Sequence, residues 1–522
     1  MLLSERLPLA ASLYPEATAL LHRGHGITYG ELNGLVEEMS DAFYAQGLRT
    51  GDRFALLGDP NPELVVALFA AVAIGAIPLV PSPLLTVSEL AVILQDAEPT
   101  IIIHDKHHIK KAAALMELLG SGPKWFITCE EPAISSSEMS LPKLMEQQFD
   151  CQRSENSKCD AADTAVLIYT GGTTGRPKGV MHSHRGMAAW NQLTPSSGFG
   201  YDIGRRVLVL NLSHLVGQFQ IWATMAAGGC LVFMDEYPGN VQRIIHEVEQ
   251  NQITHLSTVG QLLRDLTHEV SRTGEDLRSL KVIGCGGSVI APDTLQNAVK
   301  QFPAAVIVNN YSQAECGMSI SRLFPARHAE DTHRLHSVGR PQDLAAQGEQ
   351  AFEVRIVHTD GRDAETGESG EIVVRGAQTM TGYWRQPEVT REVMTDGWIR
   401  TGDVGCLDDE GYLYVLDRLK DMVIVNGSNV FCAEVEQVIM RHEVIIEAAV
   451  VGEQLSDEGE RVVAFVVLLD GTSLDLKQLR AFCELHLALY KCPTHLHILN
   501  NLPRTSVQKV DKKQLKQYLL AQ

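Results

Sequence analysis

Along this chain short apolar runs alternate with longer stretches in which apolar residues return at helical spacing. Thr28-Tyr-Gly-Glu31 places a hydroxyl three residues ahead of a glutamate, the reciprocal pairing of a capping box. The helix it opens carries Leu32, Leu35, Val36, Met39 and Phe43 on one stripe. Phe54–Leu57, Thr100–His104, Lys124–Thr128, Val207–Leu210, Gly229–Met234, His255–Thr258, Lys281–Gly284 and Ala305–Asn309 read as short buried strands. Helical segments separate many of them, the pattern of largely parallel sheets covered on both faces. The run from Leu64 to Pro81 is nearly all apolar and long enough to suggest a membrane span. Glu63 opens it, however, and Gly75 and Pro78 interrupt it. It therefore reads as a buried helix over about Pro62 to Ala73 and a strand at Ala76–Val80.

The texture changes after about Pro341. Phe352–His358 and Gly370–Arg375 alternate like antiparallel strands, with turns at Asp360-Gly361 and Asp409-Glu-Gly411. Near Asp417 a further unit begins, with a helix around Ala433–Arg441, strands at Ala448–Val451 and Val462–Leu469, and a helix at Leu476–Leu487. The fold class is α/β. A large N-terminal lobe of layered αβα sheets plus a small β section is expected over residues 1–417, and a small mobile α+β C-terminal lobe over 418–522.

Composition narrows the class. With 522 residues, 45% hydrophobic and 21% charged, the chain is globular and exceeds one ordinary domain. A net charge of −20 argues against nucleic-acid binding. Residues 418–522 hold 12 Lys/Arg against 13 Asp/Glu, so this nearly neutral part suits an approach to anionic phosphates. Ten cysteines lack paired or metal-like spacing, which predicts free thiols in a reducing, cytoplasmic setting. The N-terminal residues lack a signal-peptide pattern, and no integral membrane segment is expected.

The most informative stretch is Tyr169-Thr-Gly-Gly-Thr-Thr-Gly-Arg-Pro-Lys-Gly-Val180, which follows an apolar strand. Glycines let backbone N–H groups converge, hydroxyls add donors, and Arg176 and Lys178 add charge, as a polyphosphate requires. The common nucleotide loop is excluded, because Pro177 precedes Lys178 and Gly179 follows it.

The segment resembles the phosphate loop of the adenylate-forming superfamily, which includes acyl-CoA synthetases, luciferases and peptide-synthetase adenylation domains. Gly171 stands where that loop usually has serine, which removes a hydroxyl and keeps the backbone donors. The resemblance implies that Thr170, Gly171, Gly172, Thr173, Thr174, Gly175 and Lys178 surround the phosphates of ATP, with Thr173 taking part in catalysis. Asn309-Asn-Tyr-Ser-Gln-Ala-Glu315 is similar to the family's Tyr-Gly-x-Thr-Glu segment, with Ser312 for Gly and Ala314 for Thr. It implies Tyr311 against adenine, flanked by Asn310 and Ser312, and Glu315 as the Mg²⁺ ligand. Gly284-Cys-Gly-Gly287 matches the pocket wall beside adenine, where Gly286 and Gly287 belong.

Trp398-Ile-Arg-Thr-Gly-Asp403 resembles the Thr-Gly-Asp segment, so Asp403 is expected to accept both ribose hydroxyls, with Arg418 completing the contact. Leu502-Pro-Arg-Thr-Ser-Val-Gln-Lys509 resembles the terminal lysine motif, with Val507 and Gln508 for Ser and Gly. Lys509 would bridge the carboxylate and the α-phosphate. His214 falls at the gate of the acyl channel, with a satisfied core histidine as the alternative reading. Lys420 lies at the implied hinge, about which the terminal lobe presents first Lys509 and then Asn426-Gly427-Ser428 toward a pantetheine tunnel. His104, His107 and His108, beside three lysines, read as a solvated loop, and His182 and His184 as the end of a strand.

Leu215 occupies the position where amino-acid-activating relatives carry Asp, which argues against an amino acid. Val216, Gly217, Phe219, Trp222 and Gly286 would form an apolar wall, fitting a fatty or simple aromatic acid. The implied activity is ATP-dependent ligation of such a carboxylic acid to coenzyme A, through an acyl-adenylate with release of pyrophosphate. Two alternatives stay open: loading onto the phosphopantetheine of an acyl carrier protein, and a nucleotide-binding homologue with impaired turnover. Gly171, Ala314 and Gln508 motivate the second.

Overall fold

The computed structural model describes residues 2–520 apart from 121, 129–137, 148, 150–158, 172–176, 191–203, 236–239, 329–330, 347–351, 426–427, 456–458 and 506–508. Two compact units can be told apart, one of residues 1–353 with 374–399, the other of 354–373 with 400–522.

In the first unit, the described residues form two eight-stranded sheets. One runs from Gly317–Leu323 through Val306–Gln313, Val282–Gly286, His255–Val259, Arg206–Leu208, Cys230–Phe233 and Thr18–His22 to His25–Thr28. Its six inner strands are parallel and its two edges antiparallel. The other sheet runs from Gly382–Tyr383 through Lys178–Ser183, Thr164–Thr170, Ile77–Leu79, Arg53–Leu57, Ile101–His104 and Lys124–Ile127 to Glu138–Ser140. The apolar runs form the parallel interior because a strand covered on both faces has no polar side to show.

Local signals place the helices. Thr28 Oγ1 accepts from the Glu31 N–H, the Glu31 carboxylate accepts from the Thr28 N–H at 2.8 Å, and the helix Tyr29–Ala45 follows. The apolar run becomes the helix Pro62–Ile74, capped by Asn61 and ended by Gly75 at φ 84°, a left-handed turn that glycine adopts without strain. It is buried nearly all round, and the strand Ile77–Leu79 inserts beside it into the sheet. No helix among the described residues is long and apolar enough to cross a membrane.

Two sequence expectations change. The strand expected to end at Asn309 continues to Gln313, because Gly317–Leu323 folds back antiparallel and pairs Asn310 with Arg322 and Tyr311 with Ser321. The histidines at 104–108 are not simply a solvated loop. His104 ends a strand, is fully buried, and its Nε2 lies 2.7 Å from the buried Glu138 carboxylate. His108 pairs with Asp105 at 2.7 Å, and only His107 is exposed. Glu138 reaches His104 from 34 positions away, a contact that local spacing does not encode.

In the second unit, Leu413–Arg418 pairs antiparallel with residues 403–407. A hairpin of Val423–Val425 and Ser428–Val430 leads to the helix Cys432–Ile439. Ile445–Leu455, Gly459–Leu468 and His495–Ile498 make a three-stranded sheet, and the helices Leu476–Glu484 and Lys512–Leu520 complete the unit. Val423, Val435, Ile439, Val450 and Ala464 are core residues here, so this unit has a hydrophobic centre of its own.

Candidate active site

Thr164–Thr170 and Lys178–Ser183 form an antiparallel pair closed by the Gly/Thr-rich loop, and Thr170 stands opposite Lys178. Gly172, Thr173, Thr174 and Gly175 lie outside the described residues. Gly171 is exposed, and a Cβ built there meets nothing within 4 Å, so its departure from serine concerns a hydroxyl and not space.

Past the loop, the chain builds a fixed place for Glu315. Lys178 Nζ lies 4.9 Å from the ring centre of Tyr383. The Tyr383 hydroxyl donates to Glu315 Oε1 at 3.0 Å, and the Met380 N–H donates to the Glu315 carbonyl at 2.8 Å. One residue earlier, the Ala314 carbonyl accepts from His182 Nε2 at 2.8 Å. That contact fixes the proton on Nε2. His182 is completely buried, and burial pushes its pKa down to about 4, so it is a neutral donor near neutral pH.

The glycine wall is close-packed. Gly286 stands opposite Asn310, and a Cβ at Gly286 would meet the Asn310 carbonyl oxygen at 2.6 Å. Gly287 takes φ +82°. Tyr311 is buried on the next position of the same strand, while Ser312 and Glu315 are half-buried. His214 is the N-cap residue of the helix Leu215–Ala226 and is half-buried. On that helix Phe219 lines a small cavity. Trp222, expected in the same wall, instead packs edge-on against Phe69 at 4.9 Å and is a core residue.

The second unit holds another group. Strand pairing sets Asp403 opposite Arg418, and Arg418 Nε lies 2.8 Å from the Asp403 carboxylate. Asp403 is buried, and its N–H donates to Thr401 Oγ1, which itself donates to the Ile372 carbonyl at 2.7 Å. Gly402 takes φ +67°, and its N–H donates to Glu371. Lys509 accepts from the Thr505 N–H at 2.8 Å through its carbonyl. Its ammonium lies in the field of both Arg418 and Asp403. Its pKa is pushed down, by desolvation first and then by Arg418, with Asp403 opposing, while the residue itself is exposed at the surface of the described residues. Lys420 is exposed, and Gly427 lies outside the described residues.

Sequence reasoning missed Tyr383 and the role of His182. Tyr383 sits between turn residues in Thr381-Gly-Tyr-Trp384, which gives no sign that it meets a carboxylate 68 positions away.

Residues 8–384 match the model of the AMP-binding enzyme family, and residues 434–509 match that of the AMP-binding enzyme C-terminal domain. The chain is 32% identical over 505 residues to a feruloyl-CoA synthase of Amycolatopsis sp, covering 96% of each protein. It is similar in structure to the amide bond synthetase McbA of Marinactinospora thermotolerans, with a TM-score of 0.86 and 27% identity over 99% of each chain. It is also similar to the Bacillus subtilis o-succinylbenzoate coenzyme A synthetase in complex with ATP and magnesium ion, with a TM-score of 0.81 and 27% identity over 98% of this chain and 99% of that one.

Proposed function

The chain belongs to the AMP-binding enzyme family of the adenylate-forming superfamily, and from that membership we propose that it joins a carboxylic acid to coenzyme A through an acyl-adenylate. The observation that carries the reading is the group Asp403, Arg418 and Lys509, assembled within one unit from positions up to 106 residues apart. A buried carboxylate, a guanidinium and an exposed ammonium are the means to accept ribose hydroxyls and to meet charge on an α-phosphate.

The acid's oxygen attacks the α-phosphorus, pyrophosphate leaves, and a thiol then displaces AMP from the mixed anhydride. Little covalent work falls to the protein, so placement and fixed charge supply the rate. Lys509 is the cation for the first step. Asp403, held by Arg418, takes the ribose. Thr170, Gly171 and Lys178, together with Gly172, Thr173, Thr174 and Gly175, are assigned to the phosphates, and Gly286, Gly287, Asn310, Tyr311 and Ser312 to adenine. Glu315 fits Mg²⁺: it is a half-buried hard-oxygen donor whose described hydrogen-bond partner is a neutral phenol. The ion would offset charge on the phosphates. His214 is assigned to the acyl gate, Lys420 to the joint at residues 417–418, and Gly427 to the thioester-forming step.

A fatty or simple aromatic acid is the proposed substrate class, with Phe219 on the acyl side. Six buried and two half-buried cysteines among the described residues are free thiols, which supports a cytoplasmic setting. Carboxylate-dependent exchange of labelled pyrophosphate into ATP tests the first half-reaction. Analysis of the acyl product, a thioester with CoA or a holo-carrier protein and an amide with simple amines, identifies the acceptor. Tight ATP binding with no exchange across a broad acid panel would overturn the ligase reading.

A further inference from the structure

In the second unit the chain on either side of Lys509 pairs with itself. Arg504 and Val510 form an antiparallel bridge, and the Asp511 N–H donates to the Pro503 carbonyl at 2.8 Å. Two ion pairs fasten this strip. Arg504 meets Glu447 on the strand Ile445–Leu455, and Lys512 Nζ lies 2.7 Å from Glu436 on the helix Cys432–Ile439. Lys512 opens the last helix, and its side chain is only 18% exposed. Its partner is fixed in turn, since Glu436 Oε1 accepts from the Val450 N–H at 2.8 Å. The ammonium also lies in the field of Asp417, which is buried and accepts from the Arg418 N–H at 2.8 Å and from the Cys432 N–H. Arg418 is the residue that faces Asp403. Burial by itself would lower the pKa of Lys512, but Glu436, with Asp417 adding less, raises it on balance, so the charge is kept. One ammonium thus joins the strip that carries Lys509 to the strand that carries the ribose pair.

We propose that Lys512, held by Glu436 and Asp417, is a positioning residue for adenylate formation, setting the strip on which Lys509 sits against the strand of Asp403 and Arg418. The proposal rests on the ligase reading above and adds to it a residue that acts through Lys509 and not on the substrate. Its effect is therefore confined to the half-reaction in which Lys509 serves.

The test measures pyrophosphate exchange with hexanoate, palmitate and benzoate, and separately the thiolation of a supplied acyl-adenylate. In Lys512→Met exchange should fall about 10- to 100-fold, the size expected for a binding group displaced by about 1 Å, with thiolation within about twofold of the wild type. Lys512→Arg should keep most of the exchange, because it returns a cation to Glu436. In a Lys509→Ala background Lys512→Met should cost no more than about twofold, since the group it positions is gone. If Lys512→Met melts early, Lys512→Met/Glu436→Gln takes its place; it removes both charges and leaves an acceptor for the Val450 N–H. Equal losses in both half-reactions, a full further loss on top of Lys509→Ala, or wild-type exchange in a folded variant overturns the proposal. If no acid supports exchange in the wild type, the ligase reading has failed, and carbon NMR of protein labelled at lysine Cε still decides. The Lys509 signal, assigned by its loss in Lys509→Ala, should titrate below the ordinary value of about 10.4 and move toward it in Lys512→Met/Glu436→Gln. A midpoint that does not move overturns the positioning role.

Discussion

Gly286→Ala puts the close packing of the glycine wall, proposed to lie beside adenine, to a quantitative test. The new methyl would sit 2.6 Å from the Asn310 carbonyl oxygen, about 0.8 Å short of the 3.4 Å at which ordinary contact begins. Neither group is the end of a flexible side chain. Both belong to paired strands in register from Val282–Val306 to Gly286–Asn310, so the ladder itself must shift. Overpacking of this kind costs about 1–3 kcal/mol. At roughly 2–4 °C per kcal/mol for a domain of moderate size, melting should fall by about 2–12 °C. The kinetic effect should be larger in proportion. Asn310 adjoins Tyr311, and misplacing a binding group by about 1 Å can cost on the order of 10²-fold. We expect kcat/KM for ATP, measured by pyrophosphate exchange, to fall about 10- to 100-fold. Gly171→Ala is the thermal control, since its Cβ meets nothing within 4 Å and its melting point should stay at the wild-type value. Wild-type melting and wild-type kcat/KM in Gly286→Ala would refute the reasoning.

Other outcomes follow from the same structure. Lys509→Ala should lower adenylate formation by about 10³-fold while thiolation of a supplied acyl-adenylate continues; equal loss of both half-reactions would remove Lys509 from the first step. Tyr383→Phe deletes the phenol that donates to Glu315 at 3.0 Å, and a magnesium titration at fixed ATP should show a half-saturation point raised roughly three- to tenfold. An unmoved midpoint would mean that Glu315 does not need this partner. His182 has a folded pKa near 4 against about 6.5 when unfolded, so between those values the unfolded chain binds the extra proton. Its contribution to stability is therefore complete above about pH 6.5 and is lost on acidification, at up to about 1.4 kcal/mol per pH unit. His182→Gln keeps a donor for the Ala314 carbonyl and should flatten the melting profile between pH 6.5 and 4. A slope identical to that of the wild type would sink the assignment.

Periodicity and caps were enough to read the elements whose signals are local. Thr28 with Glu31 opened a helix as written, and Asn61 and Gly75 bounded the apolar helix that the composition alone leaves ambiguous with a membrane span. The strand order is a different kind of fact. Arg206–Leu208 lies between His255–Val259 and Cys230–Phe233, and Ile77–Leu79 lies between Arg53–Leu57 and Thr164–Thr170, arrangements that no single segment specifies. The extension of one strand to Gln313 belongs with them, because its partner is the returning chain and not its own propensity.

The site divides along the same line. Residue types at fixed spacing suggest a polyphosphate loop, a carboxylate for a metal and a terminal lysine, since chemistry of this kind depends on which atoms a short segment can present. Folding decided what surrounds them. It set Tyr383 on Glu315, hid His182 under Ala314, buried Trp222 in the core where an acyl wall had been expected, and brought two arginines to a small cavity. Each of these is a contact between segments distant in the chain, and such contacts follow from packing two sheets and their helices to density. Sequence by itself determined the candidate reagents of this protein; tertiary structure decided their partners, because burial and charge act through space and not along the chain.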